Sequence, residues 1–234
     1  IHGGGLDLIF PHHEAEIAQM EAVSGLQPLA QIWMHTGLLL VEGEKMSKSL
    51  NNFITVQDFL KNNPATTLRY MVASAHYRTG LDFSKKVTEM ASASIRRITD
   101  FMDRLKAIAS DATPFPVEDF IKPFWKHLED DFNTPQALAS LFELIKESNK
   151  FIDTHSLSQR DAQKIIDFIN QVNDILGILP LTETAPAEVM ALATEREKAR
   201  VTGDFARADE LRQKIMELGW AVNDTDSGPR ITKR

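Results

Sequence analysis

Gly3-Gly4-Gly5-Leu6-Asp7-Leu8-Ile9-Phe10-Pro11-His12-His13-Glu14-Ala15-Glu16 packs a glycine run, a carboxylate and a His/Glu pair into one short stretch. Consecutive glycines allow positive φ and let a ligand approach the backbone closely. Pro11 suits the first turn of a helix, where its missing N–H costs nothing. A helix from about Pro11 to Val23 is therefore predicted, stopped by Gly25 and Pro28. A glycine loop running into a helix N-terminus is a general anion or nucleotide site; a plain tight turn is the other reading of a bare triplet. His12 and Glu16 stand four apart and share a helix face, whereas His13 meets Ile17 at the same offset. Imidazole and carboxylate are both zinc ligands, but a closed site needs four. On spacing alone the pair is a surface hydrogen bond or half of a metal site.

Working outward, Ile32 to Val41 is a mostly apolar run that reads as a buried strand or hairpin. Glu42-Gly43-Glu44 turns the chain into Lys45-Met46-Ser47-Lys48-Ser49. Two lysines interleaved with hydroxyls can donate several hydrogen bonds to a polyphosphate, and lysine acts as a mobile point charge. A solvated turn is the competing reading.

From Thr55 the pattern turns helical. Thr55 caps a predicted helix over 56–62, and Pro64 opens one over 65–75. A long helix over about 84–110 carries Val87, Met90, Ala91, Ile95, Ile98, Phe101, Met102 and Leu105 as one apolar stripe, with both methionines read as core filler. Helices are predicted over 117–131, 135–154 and 158–177, the first two joined by Asp131-Phe132-Asn133-Thr134-Pro135. Linkers at 113–116 and 179–186 bracket this block. Helices over 187–201 and 204–218 follow, with Phe205, Ala208, Leu211, Ile215 and Leu218 as the apolar repeat and Gly219 as the stop. Trp220–Val222 and Arg230–Thr232 suit a small hairpin.

Composition narrows the class. The chain of 234 residues is 43% apolar and has no cysteine, so it is globular in composition and carries no disulfide. No apolar run reaches the roughly 18 residues of a membrane span. Net charge is −7, yet residues 1–110 hold 11 basic and 11 acidic side chains, and the deficit falls in 111–184 with 6 against 13. Bulk charge therefore offers no basic face for nucleic acid, and such binding must rest on local patches. The acids of 111–184 read as solvated outer faces. Residue 1 is isoleucine and the chain opens on the glycine run, so a preceding half of the same domain is expected.

These motifs closely resemble cysteinyl-tRNA synthetase, a class I aminoacyl-tRNA synthetase. Residues 3–14 carry the likeness first, then Trp33-Met34-His35-Thr36-Gly37 and Glu44-Lys45-Met46-Ser47-Lys48-Ser49-Leu50-Asn51-Asn52-Phe53. His76-Tyr77-Arg78, Asp130–Pro135 and Asp204–Arg212 extend it to the C-terminus. The resemblance implies a mainly α chain. Residues 1–56 would end a Rossmann-like nucleotide-binding catalytic domain, 57–182 would form a helical connector and bundle, and 183–234 a small anticodon-binding domain of helices and a hairpin. It implies activation of cysteine with magnesium-ATP, then transfer to tRNA(Cys), in a cytoplasmic monomer without a membrane partner. The related ligase that joins cysteine to an amino-sugar in mycothiol synthesis, and a non-catalytic tRNA-binding fragment, are the alternatives.

Residue by residue, the resemblance puts Gly4, Gly5 and Asp7 in the ATP and adenosine region, and Lys48 on the ATP-contacting lysine, with Lys45 beside it as a second catalytic lysine. It puts His12 and Glu16 on two zinc-ligand positions, the other two being cysteines of the missing half. There the zinc would hold the substrate thiol as thiolate. One departure is Ala15, where an asparagine is common in the family.

Overall fold

The computed structural model describes residues 1–46, 52–110, 114–180, 185–225 and 228–233, and within these the chain is mainly helical. It divides into two compact units, one of residues 1–94 with 116–148 and one of 95–115 with 149–234.

In the first unit, strand β1 (His2–Gly5) lies parallel to β2 (Trp33–Thr36), with His2 opposite Trp33 and Gly4 opposite His35. Helix α1 (Glu14–Ser24) connects them and ends on Gly25 in the left-handed region, as the sequence predicts. Its start differs. The turn Ile9–His13 is a wide π turn with Phe10 extended at φ −134°, ψ 134°. A residue before proline is pushed out of the helical region, so Pro11 delays the regular helix to Glu14.

The Ile32–Val41 run splits into β2 and β3 (Leu39–Val41), broken at Gly37. Strand β3 pairs with β4 (Glu44–Lys45) through the turn Glu42–Gly43, both at positive φ, and with β5 (Leu81–Phe83) in parallel. Helices α2 (Val56–Leu60) and α3 (Ala65–Ala73) follow, with Thr55 Oγ1 accepting the Asp58 N–H at 2.9 Å as the expected cap. Helix α4 (Lys85–Lys106) comes next, then α5 (Val117–Glu129) and α6 (Thr134–Asp153). Met71, Phe124, Leu141 and Leu144 are fully buried in this unit, whereas Met90 is 59% exposed and does not fill a core. It stands on the flank of the stripe whose buried line starts at Ala91.

In the second unit Ile98, Phe101 and Leu105 of α4 and Ile165, Phe168 and Ile169 of α7 (Gln159–Leu176) are buried. Helix α8 (Ala187–Val201) is followed by α9 (Phe205–Glu217) and the hairpin β6 (Trp220–Thr225) and β7 (Gly228–Lys233). Val189, Ala193, Ile215, Trp220 and Val222 form one core cluster. Phe205, expected in the repeat, is 67% exposed, because Asp204 caps the helix just before it and places it on the open first turn.

A carboxylate clamp closes the α5–α6 turn in the first unit. Asp131 accepts the Tyr77 O–H at 2.6 Å and the Arg78 Nε–H at 2.6 Å, with His76 Nε2 at 4.0 Å. The Arg78 guanidinium, then the Tyr77 hydroxyl, hold the Asp131 carboxyl down at about 2. An unfolded aspartate titrates near ~3.9, so this contact stabilises the fold in full above that pH and is lost as pH falls toward 2. Denaturation midpoints of Asp131→Asn should therefore lie below wild type at pH 6 and converge with it between pH 4 and 2. A constant gap over that range would contradict the clamp.

Candidate functional site

Strand alternation places His2 and Gly4 of β1 on the same face as Trp33 and His35 of β2. Gly4 leaves a gap in that row, and the His13 ring fills it. A Cβ on Gly4 would stand 3.0 Å from His13 Cε1 and 2.9 Å from Leu8 Cδ1. His13 is buried, 5% exposed, and shares a 2.8 Å hydrogen bond between its Nδ1 and His35 Nε2. Trp33 stacks on His35 with planes 6° apart, and His2 and His13 pack against it at 4.9 and 5.2 Å between ring centroids. Glu16, one turn into the helix, meets His2 Nε2 at 2.9 Å.

The structure thus draws together His2, His13 and Glu16, with one donor atom of each within 4.8 Å of the others. Imidazole nitrogens and a carboxylate oxygen suit zinc, so the donor chemistry of this corner fits that metal. His12 is exposed and does not pair with Glu16. The four-residue spacing would pair His12 with Glu16 in a regular helix from Pro11; with the π turn there, the three-residue step from His13 is the one that reaches over Glu16. The sequence passes over His2, sets His13 aside for His12, and gives Trp33 and His35 no site role of their own. The period-two placement of Trp33 and His35 was the signal that could have found them.

Gly5 and Asp7 also lie together, since a Cβ on Gly5 would run into the Asp7 carboxylate. Asp7 itself is exposed at the mouth of this turn. For the lysine loop, the Lys45 backbone pairs with Leu40 and the Met46 N–H donates to the Leu39 carbonyl at 3.2 Å. The Lys45 side chain and all of Lys48 lie outside the described residues.

Residues 1–94 match the family of tRNA synthetases class I (C) catalytic domain, and residues 123–180 match the DALR domain. A cysteine–tRNA ligase of Chlamydia pneumoniae is 42% identical over 240 residues, which cover 99% of this chain and 50% of the relative. A cysteine–tRNA ligase of a Shewanella species is 38% identical over 244 residues, covering 100% and 51%. The chain spans about half the length of the curated relatives it matches. Among solved structures, a LeuRS–tRNA–LeuAMS ternary complex from Agrobacterium radiobacter superposes with a TM-score of 0.57 at 15% identity, covering 76% of this chain and 25% of that one. That likeness is one of fold.

Proposed function

Starting from a chain whose residues 1–94 belong to the class I (C) tRNA synthetase catalytic domains and whose residues 123–180 form a DALR domain, we propose that it is the C-terminal half of a cysteine–tRNA ligase. The complete enzyme would activate cysteine with magnesium-ATP as cysteinyl-adenylate and pass the cysteinyl group to tRNA(Cys). The observation that carries this is the extent of the likeness, which runs through 99% of the chain at 42% identity. The fold supports it. Among the described residues the β1–β2 sheet is parallel and two strands wide, and α1 buries none of its residues. Parallel sheets are usually covered on both faces, as this one would be by the rest of the catalytic domain. The enzyme would work in the cytoplasm as a monomer; among the described residues no helix is long and apolar enough to cross a membrane.

The residues take the following roles. Gly4, Gly5 and Asp7 belong to the ATP and adenosine region, where Gly4 makes room for the His13 ring and Gly5 for the Asp7 carboxylate. Lys45 and Lys48 follow the negative charge that builds on the leaving pyrophosphate. Glu16 and His12 hold zinc, which supplies a soft Lewis acid for the substrate thiol. His12 is preferred to His13 because it is exposed, as a ligand facing donors on another part of the enzyme must be, whereas His13 is tied to His35 inside the row of rings. Charging of a tRNA(Cys) transcript by the complete enzyme tests the assignment. Transfer of cysteine to an amino-sugar, without tRNA charging, would overturn it.

Residues 185–234 would serve tRNA recognition. Arg207 is held between Glu195 and Glu210, each at 2.7 Å, and Lys214 lies 3.0 Å from Glu210. Arg212 is exposed and enters none of the ion pairs found among the described residues. Deleting 185–234 should impair tRNA charging and spare cysteine-dependent ATP–pyrophosphate exchange. Equal loss in both assays would show that this segment is structural instead.

A further inference from the structure

The lysine loop leaves a hairpin that cannot hold itself. Strands β3 and β4 share two residue pairs, and an isolated hairpin of that size is marginal in water. Its support is the segment His76–Phe83. The Gly37 N–H donates to the Tyr77 carbonyl at 2.7 Å, and the Leu81 N–H donates to the Leu38 carbonyl at 3.1 Å. Strand β5 then runs alongside β3, with Leu40 opposite Asp82. At the hairpin turn, Asp82 Oδ1 accepts the Gly43 N–H at 2.9 Å. Glu42 answers from the other side, its Oε1 accepting the Lys85 N–H at 3.3 Å.

The other end of the segment is fixed elsewhere in the chain. Asp131 takes Arg78 through two nitrogens, Nε at 2.6 Å and Nη2 at 3.2 Å, and also takes the Tyr77 hydroxyl. Arg78 lies over the Tyr77 ring at 5.1 Å, and His76 stacks on that ring at 4.9 Å. Asp131 and Phe132 both sit at φ 54°, a conformation rare for such side chains. The clamp therefore holds a turn with little intrinsic preference for its shape.

We propose that His76–Phe83 is a strut that sets where the lysine loop starts, with Asp82 and Asp131 as positioning residues for ATP activation. Neither touches the reacting atoms. Asp82 acts through the hairpin turn, and Asp131 acts through the strut from the α5–α6 turn inside the DALR-bearing half of the unit. The kinetic part rests on the ligase reading; the structural part does not.

Two measurements decide it. In the 234-residue chain, hydrogen exchange at Gly37 and Gly43 should quicken in Asp131→Ala, although neither glycine touches residue 131. In the complete enzyme, Asp82→Ala and Asp131→Ala should each lower kcat of cysteine-dependent pyrophosphate exchange about ten- to a hundredfold, as misplacement of a catalytic group does, with the cysteine KM within about twofold. Asp82→Asn keeps an acceptor for Gly43 and should retain most activity. In a Lys48→Ala background the two alanine substitutions should cost almost nothing more, because both act through that loop. Unchanged exchange at both glycines, or full additivity with Lys48→Ala, would overturn the strut. Should the parent enzyme show no cysteine-dependent exchange at all, the ligase reading fails and hydrogen exchange alone decides the strut.

Discussion

Replacing Lys48 by alanine in the complete enzyme should slow cysteine-dependent ATP–pyrophosphate exchange by about a hundredfold or more, the scale of removing one oxyanion donor. Cysteine binding should change little. The reason lies in when the charge matters. In the proposed reaction, cysteine carboxylate attacks the ATP α-phosphate, and the bond to pyrophosphate breaks as that bond forms. Negative charge on the departing pyrophosphate is greatest in the transition state, so a lysine that follows it lowers the barrier more than it tightens the ground state. The sequence supplies the loop with a second lysine, Lys45, at the end of β4, whose backbone the Leu40 pairing fixes. Lys45→Ala should therefore cost less than Lys48→Ala, because the Lys45 backbone is held in β4 and only its side chain can follow the phosphate. A normal exchange rate in Lys48→Ala would remove the lysine from the mechanism.

The second large effect is expected at the metal corner. His12→Ala in the complete enzyme should lower the zinc content after dialysis and raise the cysteine KM by roughly tenfold or more; even outer partners of metal ligands act on that scale. His13→Ala should behave differently. It removes a ring that is 5% exposed and bonded to His35, so its main result should be a lower melting temperature. The two histidines thus separate a ligand from a packing role. Zinc retained in His12→Ala but lost in stably folded His2 and His13 variants would assign the metal to His2, His13 and Glu16, the set the fold already gathers.

Helix caps and stops were the most legible features, because they depend on local chemistry. Thr55 before α2, Gly25 after α1 and the Trp220 hairpin were all readable in sequence order. Features that depend on partners distant in sequence were not. Strand β5 is three residues long, and its strand character comes from lying beside β3, with Leu81 opposite Leu39, 42 residues away. His13 looked like the idle member of a His-His pair because only a helix was considered. Its role appears once Gly4 and His35 are seen side by side across a parallel pair. Pro11 misled the reading for a simple reason: its effect on Phe10 outweighed its suitability for a first helical turn. The motif likeness singles out the lysine loop, and Lys48 lies outside the described residues.

The most direct test of the account is cysteine-dependent ATP–pyrophosphate exchange by the 234-residue chain, measured beside the complete enzyme. On the proposed reading, Glu16 and His12 supply two of the four ligands that a closed zinc site needs, and the chain spans about half the length of the relatives it matches. The account predicts exchange by the complete enzyme and none by the chain alone. Exchange by the purified chain, or its absence from the complete enzyme, would contradict it.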